Sequence, residues 1–153
     1  IIKAGACDKW LLSKDSDRCA LCYQHDMHNV IGIITAKGVD DKGLWIEADI
    51  LPTQQGKDVQ ILMRAGAIKE FSIGYYADSW SYGKVENQEV RYLEEISIVE
   101  VSPVTRAANP LATLTDMKAE DMAGSFAAMP EAQLLSLQAA VKEEIAKRIY
   151  SKL

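Results

Sequence analysis

Hydrophobic positions along this chain follow two periods, and the change from one to the other marks its organisation. Leu44, Ile46, Ala48 and Ile50 alternate with Trp45, Glu47 and Asp49, which predicts a strand with one buried face. Before it, Val30, Ile31, Ile33 and Ile34 form a β-branched run interrupted by Gly32, a strand with a bulge or a close backbone approach. Val39 to Gly43 carries turn residues, so the two runs read as a hairpin that ends at Pro52. Thr53 is a candidate N-cap for a helix whose apolar stripe is Val59, Leu62 and Met63 and whose stop is Gly66. A strand through Phe71, Ser72, Ile73 and Gly74 follows. The polar stretch Asp78 to Glu89, with Gly83 and Asn87, reads as a loop or hairpin tip. A β-branched strand from Val90 to Val104 is ended by Pro103 and Pro110, and Leu111, Thr113 and Thr115 predict a last short strand.

At the two ends the pattern differs. A short helix is expected around Trp10 to Lys14. Residues 117–129 mix Ala, Gly, Ser and Met without an apolar period, so they are expected to be exposed or loosely ordered. Leu134, Leu137, Val141, Ile145 and Ile149 then recur at helical spacing, opposite Glu131, Lys142, Glu143 and Lys147. The reading is a mainly β domain over 1–115, in which 1–22 is an atypical N-terminal segment. A linker over 116–129 and an amphipathic helix over 130–153 follow.

Composition narrows the function classes. With 153 residues, 48% hydrophobic and 25% charged, the chain has the make-up of a folded domain. Its net charge is -5 and its 17 Lys and Arg are scattered, which leaves no electrostatic footprint for nucleic acid. No apolar run approaches the ~20 residues of a membrane span. A first residue other than Met, with no basic-then-apolar leader, leads us to expect that the natural protein extends further toward its N-terminus. The three cysteines, Cys7, Cys19 and Cys22, form an odd set without a signal peptide, which argues for a reducing compartment.

Two kinds of chemistry are open to these residues. Cys7, Cys19, Cys22 and His25 would make a tetrahedral zinc set, although only one CxxC is present. Otherwise Cys19 and Cys22 are small buried hydrophobes, and no cofactor is called for. Nucleophilic catalysis is the other. Ser72 alternates with Phe71 and Ile73, so its hydroxyl points to the opposite face, and Gly74 on that face leaves space beside it. A base must come from His25 or His28, and an orienting acid from Glu94, Glu95 or Glu100. Glu100 lies in the apolar run Ile98-Val99-Glu100-Val101, on the face of Ile96 and Ile98. It is either an edge-strand carboxylate facing water or a buried one that needs a partner such as an imidazolium. Lys69 would face away from Ser72 on a strand, which argues against a Ser-Lys dyad.

Several blocks of the chain resemble the tailed-phage prohead proteases, serine peptidases related to the herpesvirus assemblins. These are Gln24-His25-Asp26 with Ile31-Gly32, Asp41 to Glu47, Leu62 to Ala67, Phe71 to Tyr75, and Val99 to Thr105 with Ala108-Asn109-Pro110. They run in the family's order over about residues 23–115. The resemblance implies His25 as general base, Ser72 as nucleophile and Glu100 as orienting acid. It also implies a herpesvirus-protease-like β-barrel, with scaffold and major capsid protein as substrates inside the assembling prohead in the host cytoplasm. The turn Thr105-Arg106-Ala107 is then a candidate oxyanion donor, centred on Arg106. The C-terminal helix suits self-association or docking on a scaffold. Two other functions compete: a non-enzymatic capsid-assembly factor of the same fold, and a small zinc-binding module.

Overall fold

The computed structural model describes residues 1–118 and 130–150. By contact density the chain divides into two compact units, Ile1–Asp116 and Met117–Leu153. Within the first, a helix α1 (Asp8–Leu11) and a 3-10 turn (Lys14–Arg18) precede a short strand β1 (Ala20–Tyr23). Then come β2 (Asp26–Val39), β3 (Leu44–Ile50), helix α2 (Gln54–Arg64), β4 (Glu70–Val85) and β5 (Gln88–Val104). The strands form one five-stranded sheet in the order β3-β2-β1-β5-β4. β1 is parallel to β5, and every other pairing is antiparallel.

Most of these elements follow from the pattern. The β2–β3 hairpin pairs Val39 with Leu44 across the expected turn. A Cβ on Gly32 would run into the Asp49 carbonyl oxygen and the Leu21 side chain, so the glycine admits a close approach of strands. The Thr53 hydroxyl accepts the Gly56 N–H at 3.1 Å and caps α2, which buries Val59 and Met63. Together with Trp10, Leu21, Cys22, Ile31, Ile68, Ile96, Ile98, Val101 and Val104 these residues form the core.

Three expectations are corrected. Of the two readings of Asp78 to Glu89, the hairpin tip holds and the loop does not, because β4 continues through Val85 and only Glu86 and Asn87 turn, both at positive φ. The polar residues there alternate with Trp80 and Tyr82, a two-faced exposed ribbon, and the Arg91 guanidinium stacks over Trp80 at 4.4 Å. Pro103 does not end β5. It lies fully buried opposite Phe71, and its carbonyl accepts the Gln24 N–H at 3.2 Å. The last short strand is reduced to one bridge, Glu70 to Thr113, with the Phe71 N–H donating to Ala112 O at 2.7 Å.

The segment before β1 lies against the sheet, with one bridge from Ile2 to Leu93. Lys3 N–H donates to Leu93 O at 3.0 Å and Ile96 N–H to Ala6 O at 3.0 Å, so the N-terminal residues lie along β5. β1 itself carries no alternation that four residues could display.

In the second unit, helix α3 (Glu131–Tyr150) begins at Pro130 and carries a Glu143–Lys147 ion pair of 2.8 Å. Val141 and Ile145 of its apolar stripe are exposed. The Leu137 and Ile149 side chains, and residues 119–129 of the expected linker, lie outside the described residues. No described helix is long and apolar enough to cross a membrane.

Candidate active site

The pairing of β4 with β5 assembles one face. Ser72 stands opposite Ser102 and Gly74 opposite Glu100, and directly opposed side chains share a face. Just beyond, the register shifts between Gly74 and Tyr75, which bulges Val99. Glu100 is 3% exposed, so its carboxylate needs donors on the protein. The space beside Gly74 is not open, contrary to the expectation from the sequence. An added Cβ there would sit 2.5 Å from Glu100 Oε1 and 3.1 Å from its Cγ. The missing side chain makes room for the acid.

His25 reaches that acid from the neighbouring strand. β1 runs parallel to β5 with Ala20 opposite Glu100, and it leads into a two-residue turn, Gln24-His25, before β2 returns. Both residues have positive φ, 55° and 62°, a conformation non-glycine residues adopt rarely and mostly where surroundings hold them. Here the end of β5 holds them. Gln24 N–H donates to Pro103 O at 3.2 Å, and His25 N–H to Ser102 Oγ at 3.2 Å. The Gln24 side chain donates to Thr105 Oγ1 at 2.7 Å and accepts the Thr105 N–H at 3.3 Å.

So held, His25 Nδ1 lies 2.6 Å from Glu100 Oε1. A carboxylate only accepts, so Nδ1 carries the proton and Nε2 is left as the ring's acceptor. The second carboxylate oxygen, Oε2, accepts the Ser102 hydroxyl at 2.5 Å. The imidazole, with its side chain 45% exposed, lines an open depression of about 300 Å³ with Met27, Gly74, Tyr75, Tyr76 and Val99. The arrangement is an imidazole whose tautomer is fixed by a buried carboxylate and whose other side is open to solvent.

The remaining candidates fall elsewhere or are engaged. Ser72 is half-buried on β4, and among the described residues its hydroxyl has no hydrogen bond, to His25 or otherwise. His28 is exposed on β2. Glu94 is bound to Lys3 and Ser81, each at 2.8 Å, and Glu95 to Lys9 at 3.1 Å. In the turn after β5, Ala107 N–H donates to Glu70 Oε2 at 2.7 Å and Thr105 N–H is held by Gln24. Only the Arg106 N–H of that turn has no acceptor among the described residues, and the Arg106 side chain is exposed.

The cysteines and His25 do not form a metal cluster. Among the described residues no group of three or more His, Cys, Asp and Glu is gathered to hold an ion. Cys22 is buried with its thiol 3.8 Å from Met27 Sδ. Burial first, then the Glu100 carboxylate, pushes the Cys19 thiol up to about 11 and raises Cys22 as well. Protonated thiols are poor ligands and poor nucleophiles.

The sequence assigns no positioning role to Ser102, Gln24 or Thr105, which hold the pair. Ser102 had a legible signal, since it lies two residues beyond a buried acid and so on the same strand face. Gln24 had none beyond its place next to His25.

Comparison with known proteins bears on what this face does. The profile of the family described as Caudovirus prohead serine protease matches residues 1–125, which includes the cysteine segment. No curated protein and no solved structure matches the chain.

Proposed function

The chain belongs to the caudovirus prohead serine protease family, and from that premise we propose that His25, Ser72 and Glu100 are its catalytic triad. Membership gives a serine protease role in the maturation of phage heads. The assignment of the triad is carried by one observation, the buried Glu100 carboxylate bonded to His25 Nδ1 at 2.6 Å. A structural ion pair has no need of a half-exposed imidazole on a strained turn.

In this reading His25 Nε2 takes the proton of the Ser72 hydroxyl as its oxygen attacks the scissile carbonyl. Glu100 stabilises the imidazolium so formed, and His25 then protonates the leaving amine. Water repeats the sequence to release the acyl group. The oxyanion needs preorganised donors, and the unengaged Arg106 N–H is our candidate for one of them. Substrate filling the depression brings His25 Nε2 and the Ser72 hydroxyl into hydrogen-bond reach, since catalytic hydrogen bonds often form only in the substrate complex. We read the five-stranded sheet as the wall of a herpesvirus-protease-like barrel. Substrates are segments of scaffold and major capsid protein, cut inside the assembling prohead in the host cytoplasm. The apolar stripe of α3, exposed at Val141 and Ile145, serves self-association.

Co-expression with the cognate scaffold and capsid proteins tests this. Ser72→Ala and His25→Ala are expected to abolish cleavage while leaving the fold intact. Glu100→Gln should keep a residue of activity, reduced by roughly 10³–10⁴, because an amide orients the ring without offsetting its charge. Full cleavage by Ser72→Ala would overturn the reading and favour a non-enzymatic assembly factor.

A further inference from the structure

Two serines face each other across the β4–β5 ladder, Ser72 half-buried and Ser102 with no exposure at all. Ser102 cannot reach a substrate, yet it has two polar partners, both belonging to the His25–Glu100 pair. A backbone N–H only donates, so Ser102 Oγ must accept from His25 N at 3.2 Å. Its single proton is then directed to Glu100 Oε2, 2.5 Å away. Glu100 Oε1 accepts from His25 Nδ1 at 2.6 Å. The bonds close a circuit, from the His25 amide through the Ser102 hydroxyl and the Glu100 carboxylate back to the His25 ring.

We propose that Ser102 is a positioning residue that holds the Glu100 carboxylate in place and ties the His25 imidazole to its own backbone. The proposal rests on reading His25 as the general base. Both carboxylate oxygens are buried and both have donors, so the anion is stable without water. The direction of each bond is fixed by chemistry, which leaves the Nδ1–H tautomer as the one that satisfies every group in the circuit. Ser102→Ala removes two bonds at once. It strands Oε2 without a donor, and the anion is then destabilised more when His25 is neutral than when it is protonated. Proton uptake by the pair becomes more favourable, so its apparent pKa rises.

Other titratable groups face the pair from neighbouring elements. These are Cys19 before β1, Cys22 on β1, and Tyr75 and Tyr76 on β4, with Asp26 beyond Cys22 and Lys37 beyond Cys19. None of them hydrogen-bonds to the Ser102 hydroxyl, so the substitution acts on the pair alone.

The test is the pH profile of kcat/KM together with an NMR titration of the imidazoles, which is uncrowded because the chain holds 2 histidines. For Ser102→Ala the acid limb and the His25 titration are expected to move up by about one pH unit, a roughly tenfold change in proton affinity. KM should change little, since Ser102 touches no substrate. Ser102→Thr retains the hydroxyl and is expected to keep the wild-type limb. Should the alanine variant fail to fold, Ser102→Cys keeps the shape with a weaker donor and is expected to shift the limb upward as well. A folded Ser102→Ala or Ser102→Cys protein whose limb and titration coincide with wild type would overturn the proposal. A shifted titration in a chain whose cleavage survives His25→Ala would uphold Ser102 and overturn the triad instead.

Discussion

Gly74→Ala isolates the contact on which the site depends. The backbone at Gly74 is ordinary strand, so alanine brings a methyl group and no conformational strain. That methyl would lie 2.5 Å from Glu100 Oε1, whereas ordinary contact begins at 3.4 Å, so the oxygen must retreat by 3.4 − 2.5 = 0.9 Å. If the retreat runs along the bond to His25, the 2.6 Å separation opens to about 3.5 Å, no longer a hydrogen bond. Losing one charge-assisted bond at a half-exposed partner costs about 2 kcal/mol, and alanine regains roughly 0.5–1 kcal/mol over glycine in a strand. The net expectation is a loss of about 1–1.5 kcal/mol in stability by denaturant titration. The cleavage rate should fall by roughly 10², the penalty of an ångström's misplacement in a catalytic array. Glu100→Ala empties the space, and in that background Gly74→Ala should be neutral or slightly stabilising. Wild-type cleavage by Gly74→Ala, or an equal cost in both backgrounds, would refute the argument.

Two further outcomes follow from the same structure. Cys19 is raised to about 11, and its folded pKa lies above the ordinary value of 9.0, so the protonated thiol contributes stability that is present below pH 9 and is lost as pH rises toward 11. The melting temperature should therefore decline over that window, with thiol alkylation slow at pH 8, whereas a zinc site would instead show destabilisation by a chelator at neutral pH. Removing residues 117–153 should convert an associating protein to a monomer in sedimentation experiments, because a lone helix of this length needs a surface for its stripe. Identical monomers with and without the segment would remove self-association from the account.

How much was legible in the sequence depends on the range over which each feature is determined. The β2–β3 hairpin, the capped α2 and the strand of Glu100 are set by local alternation, caps and turn residues, and these were read correctly. The burial of Glu100 could be argued because a charge among Ile98, Val99 and Val101 requires a partner. The identity of that partner could not be derived from pattern. His25, 75 residues from Glu100, reaches it through a parallel pairing of β1 with β5, and β1 is too short to show a period. Gly74 was misread for a related reason. A missing side chain looks like space until the opposite strand is placed in register, and here the register fills it with the carboxylate. Past Asp78 the sequence leaves loop and hairpin tip open, because the polar residues of β4 mask the alternating Trp80 and Tyr82.

The central claim is that Ser72 is the nucleophile served by the His25–Glu100 pair. A serine-reactive phosphonate followed by peptide mass spectrometry tests it directly, since the reagent needs an activated hydroxyl and no knowledge of the cleaved bond. The account predicts a single adduct on Ser72, with labelling lost in His25→Ala and strongly slowed in Glu100→Gln. An adduct on another serine, or equal labelling of Ser72 when His25 is absent, would contradict it.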